Sequence, residues 1–258
     1  MLGSRRIGHL GTLDPFATGL LVLLVGRATR LARFIDGEPK VYEAMIRFGN
    51  ETDTDDSTGA VTREAVVPPA DRVDAAIAQL TGPLDQTPPA FSAKQSGGVR
   101  AYAAARKGTP LELPPSRVTV HRWTILGRDD RTLSARIECS GGTYIRALGR
   151  DLGRLAGSAA HIAALRRIAA GRFTLADSSP LEAVREGRGA ILGMRDAISQ
   201  LPVQELSADE RGKVSHGNAI AATIAGERAA LIGAGGELAA IADRVGDAWQ
   251  PTAVFTHE

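Results

Sequence analysis

The chain has 258 residues, 43% of them hydrophobic, which is typical of a globular protein with one large domain or with a medium and a small one. Its single cysteine, Cys139, excludes a disulfide framework and a cysteine-based metal cluster and suits a reducing cytosol. The longest apolar run, Leu20 to Val25, is too short to span a membrane, and the N-terminus lacks the apolar region of a secretory signal. We therefore expect a cytoplasmic protein.

The charged residues are unevenly distributed. The net charge is +2 overall, but it is −6 over residues 51–90, +10 over residues 91–172 and −5 over residues 173–258. Of the 31 basic residues 27 are arginines, whose guanidinium groups bind phosphates in a bidentate manner and stack on bases. Arginine-rich composition can also reflect genomic base composition, although that explains the amount of arginine better than its placement. The basic middle segment predicts binding to a nucleic-acid backbone.

A glycine-rich loop comes first along the chain. Residues 8–21 read GHLGTLDPFATGLL. Glycines permit positive φ angles and close approach of another chain, and Pro15 disfavours helical backbone at Asp14. Such a loop can present the Asp14 carboxylate as a reactive group, although an Asp-Pro pair is also an ordinary turn.

Three elements are predicted directly after this loop. The run from Leu20 to Val25 favours a buried strand, because it is too short for a typical helix. The segment GRATRLARFIDG has helical spacing and a stop signal at Gly37. Residues 40–48 alternate between apolar and polar, which predicts a strand with these residues on one face: Tyr42, Ala44, Ile46 and Phe48.

The next segment, GNETDTDDSTGAV (residues 49–61), is called the acidic tract below. Its carboxylates, at Glu51, Asp53, Asp55 and Asp56, suggest a metal site, but the tract lacks the closing glutamate of an EF-hand loop. We therefore predict a solvated loop. A helix is predicted after it, from Pro69 to Leu80.

The second half continues with two alternating strands, Arg117 to Leu126 and Leu133 to Cys139. The segment GGTYIRALGRDLGRLAG then has helical periodicity, and AHIAALRRIAAGRF has the composition of an apolar strand. Three arginines of the helical segment recur every four residues and form one stripe. This arginine stripe consists of Arg146, Arg150 and Arg154.

The composition changes near residue 199. Short strands are predicted from Ala229 to Gly233, Leu238 to Asp243 and Trp249 to Phe255, together with a helix that begins after Ser207. The segment 199–258 is therefore predicted to be a small β-rich domain, separate from a domain over residues 1–198.

The glycine-rich loop resembles the signature loop of the TruB-type tRNA pseudouridine synthases, GHxGTLDPxATGxL, at every fixed position. The acidic tract resembles that family's GxxTxTxDxxGxV stretch, and residues 88–106 resemble its PPxxSAxxxxGxRAYxxAR tract. The resemblance implies an α+β fold: a pseudouridine synthase-like mixed β-sheet catalytic domain over residues 1–198, with a small PUA-like RNA-binding domain over residues 199–258. It implies conversion of a uridine in the T-loop of tRNA, position 55, to pseudouridine.

The resemblance also implies roles for single residues. Asp14 is the nucleophile, and Arg146 of the GTYIR motif lies beside it and keeps its carboxylate ionised. The alternative for Arg146 is a place in an exposed stripe. Tyr42 of KVYEA stacks on the target base and Tyr144 lines the same pocket, although both are otherwise typical of half-buried core tyrosines.

Two further residues and the partners complete the prediction. His9 contacts RNA or organises the loop, and Leu165 borders the uracil. The expected partner is the T-stem-loop of tRNA, without metal, cofactor or membrane, and the expected state is a monomer. Members of the family usually carry a KPxGxTS-type segment ahead of the loop, so either the start is misplaced or a first strand is missing, and we expect a misplaced start. The alternative function is a non-catalytic tRNA-binding or tRNA-folding protein on the same scaffold.

Overall fold

The structure is a computed structural model in which strands and helices form two compact units. It describes residues 3–92, 95–96, 99–100, 109, 111 and 113–256. The larger unit consists of Gly11–Val22 and Gly37–Ser178, and the smaller unit of Met1–Leu10, Leu23–Asp36 and Ser179–Glu258. The domain boundary between residues 198 and 199 stays a prediction.

The elements are numbered in chain order within the described residues. The strands are β1 (Ile7–His9), β2 (Thr18–Gly19), β3 (Leu23–Val25), β4 (Lys40–Phe48), β5 (Asn50–Thr52), β6 (Val61–Glu64), β7 (Gly82–Gln86), β8 (Gln95–Ser96), β9 (Val99–Arg100), β10 (Ser116–Arg128), β11 (Thr132–Cys139), β12 (Ala160–Ala170), β13 (Phe173–Thr174), β14 (Val203–Glu205), β15 (Ile220–Ala221), β16 (Arg228–Ile232), β17 (Leu238–Val245) and β18 (Ala248–Val254). The α-helices are α1 (Ala70–Gln79), α2 (Ile145–Leu155), α3 (Leu181–Arg185), α4 (Met194–Ala197) and α5 (Ala208–Ser215). Short 3-10 helices span Gly26–Leu31 and Leu175–Asp177.

The larger unit is built on a mixed sheet, which confirms the predicted α+β fold. Its strands lie in the order β13-β12-β4-β11-β10-β7, all antiparallel to their neighbours, and β2 pairs in parallel with β12. The predicted strand over residues 40–48 is confirmed as β4. Because successive side chains of a strand point to opposite faces, its alternate residues share a buried face, namely Tyr42, Ala44, Ile46 and Phe48.

Helices α1 and α2 cover this face of the sheet. Leu148 and Leu152 of α2 are fully buried, and they share one hydrophobic core with Ile46 and Ile137 of the sheet. Gly153 allows α2 to lie close to β12, since a Cβ at Gly153 would lie 2.5 Å from the backbone nitrogen of the first residue of β12. This close packing fixes the position of the arginine stripe relative to the sheet.

The apolar run after the glycine-rich loop differs from its prediction. Instead of one buried strand, Leu20 lies after β2, and β3 begins only at Leu23. Leu21 and Leu23 are 41% and 45% exposed, while Leu20 and Leu24 are buried. The physical reason is that apolar composition does not determine strand partners: β2 pairs with β12, whereas β3 pairs with β1. The predicted helix after it begins as the 3-10 helix Gly26–Leu31.

The smaller unit contains a five-stranded sheet in the order β14-β16-β17-β18-β15, consistent with a PUA-like fold. The indole of Trp249 is fully buried, and its Nε1 donates to Gln204 Oε1 at 2.8 Å. Helix α5 starts after Ser207, as predicted, because the Ser207 and Glu210 side chains each accept a hydrogen bond from the other's backbone N–H. In the described part of the chain, every helix is too short or too polar to cross a membrane.

Candidate active site

Asp14 lies in the loop from Gly11 to Leu20 of the larger unit. The backbone carbonyl of Asp14 accepts a hydrogen bond from the Ala17 N–H at 2.9 Å, which closes a tight turn through Pro15. The Asp14 side chain is 27% exposed. The turn therefore presents a carboxylate that solvent or a bound substrate can reach.

Arg146 is buried and binds the Asp14 carboxylate with one edge of its guanidinium group. Its Nε donates to Asp14 Oδ2 at 3.1 Å, and its Nη2 donates to Asp14 Oδ1 at 2.8 Å. A bidentate charge-assisted pair fixes the plane of the carboxylate as well as its distance. The pair balances the two charges in a site that is only partly open to water.

A second carboxylate and two backbone carbonyls hold the Arg146 guanidinium from behind. Nη1 donates to the Thr54 carbonyl and Nη2 to the Phe91 carbonyl, both at 2.9 Å, and Nη1 lies 3.6 Å from Asp56 Oδ2. Asp56 Oδ1 in turn accepts hydrogen bonds from the Thr54 hydroxyl and from the backbone and hydroxyl of Thr58, at 2.8, 2.9 and 2.6 Å. The orientation of Arg146 is thus fixed independently of Asp14.

The prediction that the acidic tract is a solvated loop is wrong for three of its four carboxylates. Three of its carboxylates belong to residues that are 4–7% exposed, namely Glu51, Asp55 and Asp56. They face the arginine stripe of α2 in the pairs Arg146–Asp56 at 3.6 Å, Arg150–Asp55 at 2.9 Å and Arg154–Glu51 at 2.7 Å. Buried charges persist when they are paired, so the tract folds inward. The alternative of an exposed arginine stripe is therefore also wrong for Arg146 and Arg150, which are buried.

Tyr42 and Leu165 lie on neighbouring central strands of the sheet. Tyr42 is 7% exposed and Leu165 is 5% exposed, and both belong to the main hydrophobic core. Burial raises the pKa of the Tyr42 hydroxyl, the charge of Asp14 adds to this rise, and Arg167 opposes it. The Tyr42 hydroxyl therefore lies within electrostatic reach of the Asp14 carboxylate.

Tyr144 precedes helix α2 and is fixed by Gln86, the last residue of β7. The Tyr144 N–H donates to Gln86 Oε1 at 2.8 Å, and Gln86 Nε2 donates to the Tyr144 carbonyl at 3.0 Å. Burial raises the pKa of the Tyr144 hydroxyl, and the charges of Arg146 and Asp14 also act on it. Tyr144 is therefore close to the Asp14–Arg146 pair.

The structure brings five of the six predicted site residues into the larger unit: Asp14, Tyr42, Tyr144, Arg146 and Leu165. The sixth, His9, belongs to the smaller unit, where it pairs with Leu23 between β1 and β3. Most of the tract at residues 88–106 that resembles the family lies outside the described residues.

Sequence reasoning gave no role to Asp56, Gln86 or Arg167. For Asp56 a usable signal existed, since the four acidic residues of the tract are opposite in charge to the three arginines of the stripe. Gln86 and Arg167 carried no such signal, because a glutamine and a strand arginine are recognised only from their contacts.

Ion pairs within the fold reduce the positive charge that the basic segment can offer to phosphates. Five arginines of the basic segment pair with carboxylates of the acidic segment 51–90: Arg117–Asp85, Arg128–Asp74, Arg146–Asp56, Arg150–Asp55 and Arg154–Glu51. Part of the +10 charge is therefore neutralised within the fold and is not available to phosphates.

Comparisons with known proteins find relatives that match nearly the whole chain. A sequence model of the family described as "TruB family pseudouridylate synthase (N terminal domain)" matches residues 1–145. The tRNA pseudouridine synthase B of Thermobifida fusca is 39% identical to this chain, and the match covers 99% of this chain and 90% of that protein. The protein of the same name from Arthrobacter sp. is 40% identical, with 97% and 82% coverage.

Solved structures with the same fold include a component of an H/ACA RNP bound to a substrate RNA containing 2′-deoxyuridine. That chain has a TM-score of 0.68 and 22% identity over 99% of this chain and 78% of its own length. A chain of a Cbf5-Nop10-Gar1 complex has a TM-score of 0.67 and 23% identity, with the same coverage. At this level of identity the likeness shows the fold alone.

Proposed function

This chain belongs to the TruB family of pseudouridylate synthases, and from that premise we propose that it converts the uridine at position 55 in the T-loop of tRNA to pseudouridine, with Asp14 as nucleophile. Relatives that match nearly the whole chain are named tRNA pseudouridine synthase B, so the chain is an isomerase that acts on tRNA. The bidentate contact between Arg146 and Asp14 carries the proposal for the nucleophile.

The reaction exchanges one bond of the ribose for another. The bond from ribose C1′ to uracil N1 breaks, the base turns, and a bond from C1′ to C5 forms, while C5 loses a proton and N1 gains one. A carboxylate can hold one partner covalently during this exchange. Asp14 suits that role because it is accessible and its plane is fixed by Arg146, so little reorganisation is needed when charge develops.

The target base must leave its stack before Asp14 can reach it. In the proposal the extruded uracil stacks on Tyr42, with Leu165 and Tyr144 along its other edges. Stacking on an aromatic side chain contributes about 1–3 kcal/mol per base, which offsets part of the cost of extrusion. Tyr42 lies on β4, Leu165 on β12 and Tyr144 directly before α2, all in the same unit as Asp14.

A tritium-release assay tests the proposal. The wild type should release tritium from a tRNA transcript tritiated at uracil C5. It should release none from a transcript that has cytidine in place of uridine 55. Asp14→Ala should abolish release. Arg146→Lys keeps the charge but loses the bidentate geometry, and it should lower kcat about 10²- to 10³-fold. Arg154→Lys on the same helix is the matched control, with kcat expected within about threefold of wild type, because Arg154 binds Glu51 instead.

Release that persists in Asp14→Ala would contradict the role of Asp14, and release from the cytidine-55 transcript would contradict the position. A folded wild type that binds tRNA without releasing tritium would support the alternative, a non-catalytic tRNA-binding protein. The proposal includes a cytoplasmic location and a monomeric state, which fractionation and light scattering would test.

A further inference from the structure

Arg167, on β12, is a fully buried cation next to the loop of Asp14. Its side chain is 0% exposed. All three guanidinium nitrogens donate to backbone carbonyls of that loop: Nη2 to Gly11 at 3.2 Å, Nη1 to Thr12 at 3.3 Å and Nε to Leu20 at 2.8 Å. The first two acceptors precede Asp14 and the third follows it, so one side chain binds both ends of the loop.

The backbone of Arg167 also binds the end of the loop that follows Asp14. The Leu20 N–H donates to the Arg167 carbonyl at 2.8 Å, and Gly19 pairs with Arg167 between β2 and β12. Gly19 has φ +100°, and a Cβ there would lie 2.2 Å from the Arg167 carbonyl oxygen. Only glycine therefore permits this approach.

The charge of Arg167 is held by carbonyl dipoles. Among the described residues, no carboxylate lies within ion-pair distance of its guanidinium group. A buried cation without a carboxylate is costly unless its donors are satisfied, and here the acceptors come from the loop itself. The loop conformation and the ionised Arg167 thus depend on each other.

The same guanidinium acts on the Tyr42 hydroxyl. Tyr42 and Arg167 are register partners between β4 and β12. Burial raises the pKa of Tyr42, and the charge of Arg167 opposes that rise. Arg167 therefore contacts the loop of the proposed nucleophile on one side and the proposed stacking residue on the other.

From these contacts we infer that Arg167 is a positioning residue for the isomerase reaction, which holds the loop of Asp14 in its reactive geometry. The inference rests on the proposed function of Asp14. Arg167 does not touch the substrate in this role. It acts through the distance between Asp14 and the reacting carbon, where an error of about 1 Å can cost roughly 100-fold in rate.

The test is steady-state kinetics by tritium release from tRNA. Arg167→Lys keeps the charge, but a compact ammonium group cannot reach Gly11, Thr12 and Leu20 together. We expect kcat to fall about 10- to 100-fold, with KM for tRNA within about threefold. The neighbouring Arg166 is exposed, and Arg166→Lys is the matched control, with kcat expected within twofold of wild type.

A second variant releases the same end of the loop through a different contact, the backbone of Arg167. In Gly19→Ala the added Cβ meets the Arg167 carbonyl, so kcat should fall in the same way. The double variant should lose less activity than the sum of the two single decreases, because both changes release the same end of one loop. Gly19→Ala alone serves as the test if Arg167→Lys does not fold.

Thermal unfolding of each variant separates positioning from stability. If Arg167 were purely structural, Arg167→Lys would lower the unfolding temperature and leave kcat per folded molecule unchanged. That result would overturn the inference. A kcat of Arg167→Lys within twofold of wild type, or additive decreases in the double variant, would also overturn it. A wild type inactive on tRNA would contradict the proposed function and with it this inference, whereas an active wild type with unaffected variants contradicts the inference alone.

Discussion

In the described part of the larger unit, each buried charged side chain faces an opposite charge or backbone carbonyl groups. Arg146 has two carboxylates, Asp14 and Asp56, and two carbonyl acceptors. Arg150 contacts Asp55 and Asp151. Such groups cannot be recognised residue by residue in the sequence, because burial follows from the partner and not from the side chain itself.

Asp55 gives a prediction at this scale. It has φ +59°, and burial raises its pKa to about 6 from an ordinary 3.8, against the opposing effect of Arg150. The folded protein therefore keeps a proton that the unfolded chain releases between about pH 4 and pH 6, so Asp55 lowers the free energy of unfolding as the pH rises through this window. Above it the contribution is constant.

Asp55→Asn removes this titration, and asparagine accepts a positive φ. We expect the unfolding free energy of the wild type minus that of the variant to fall by roughly 2–3 kcal/mol from pH 4 to pH 6.5. Urea unfolding of both proteins at several pH values measures it. A difference that is flat, or that rises with pH, would refute the assigned direction.

At the scale of elements, the contact between α2 and β12 positions the site. Helix α2 carries Arg146 in its first turn, and β12 carries Leu165 and Arg167. Gly153 lets the two elements approach to backbone contact. The helical period indicated α2, but the closeness of the packing depends on a glycine that the sequence pattern alone marks only as a weak helix former.

Gly153→Ala tests this packing. The added Cβ would lie 2.5 Å from the Ala160 nitrogen and 2.7 Å from its Cβ, so we expect a decrease of about 1–3 kcal/mol in stability and a lower kcat from displaced Arg146. Gly212→Ala is the control, since nothing lies within 4 Å of a Cβ there, and the alanine should stabilise α5 by about 0.5–1 kcal/mol. Equal effects of the two changes on unfolding temperature would contradict the account.

At the scale of the whole molecule, the charged residues form ion pairs within the fold as well as a charge that RNA phosphates can bind. Five carboxylates of residues 51–90 neutralise arginines of residues 91–172. Charge segregation along a chain therefore overstates the charge available to phosphates, because segments of opposite sign can meet in space.

Salt dependence of tRNA binding tests this. Affinity should fall steeply with salt, and a substitution that removes one cation from a phosphate should lower the slope of log affinity against log salt by about 0.7–0.9. Arg128 donates to Asp74 at 2.5 Å, so Arg128→Gln should leave the slope within about 0.3 of wild type. Filter binding from low to high salt measures it, and a decrease near one unit would show that Arg128 binds phosphate instead.

The sequence by itself determined the elements with strong periodicity and the residues inside long motifs. Strand β4 matched its predicted bounds, because local period is a property of consecutive residues. The family resemblance of the glycine-rich loop and the GTYIR segment implied that Asp14 and Arg146 are partners, which local period alone does not indicate.

Only the tertiary structure decided which charges are buried and what holds the loop of Asp14. The acidic tract was predicted to be solvated, yet three of its carboxylates are buried against α2, and in the run from Leu20 to Val25 only Leu23–Val25 form a strand. Arg167 had no role until its three carbonyl acceptors were seen. The physical reason is that the cost of burying a charge or a strand edge depends on partners more than 90 residues away, which local pattern does not specify.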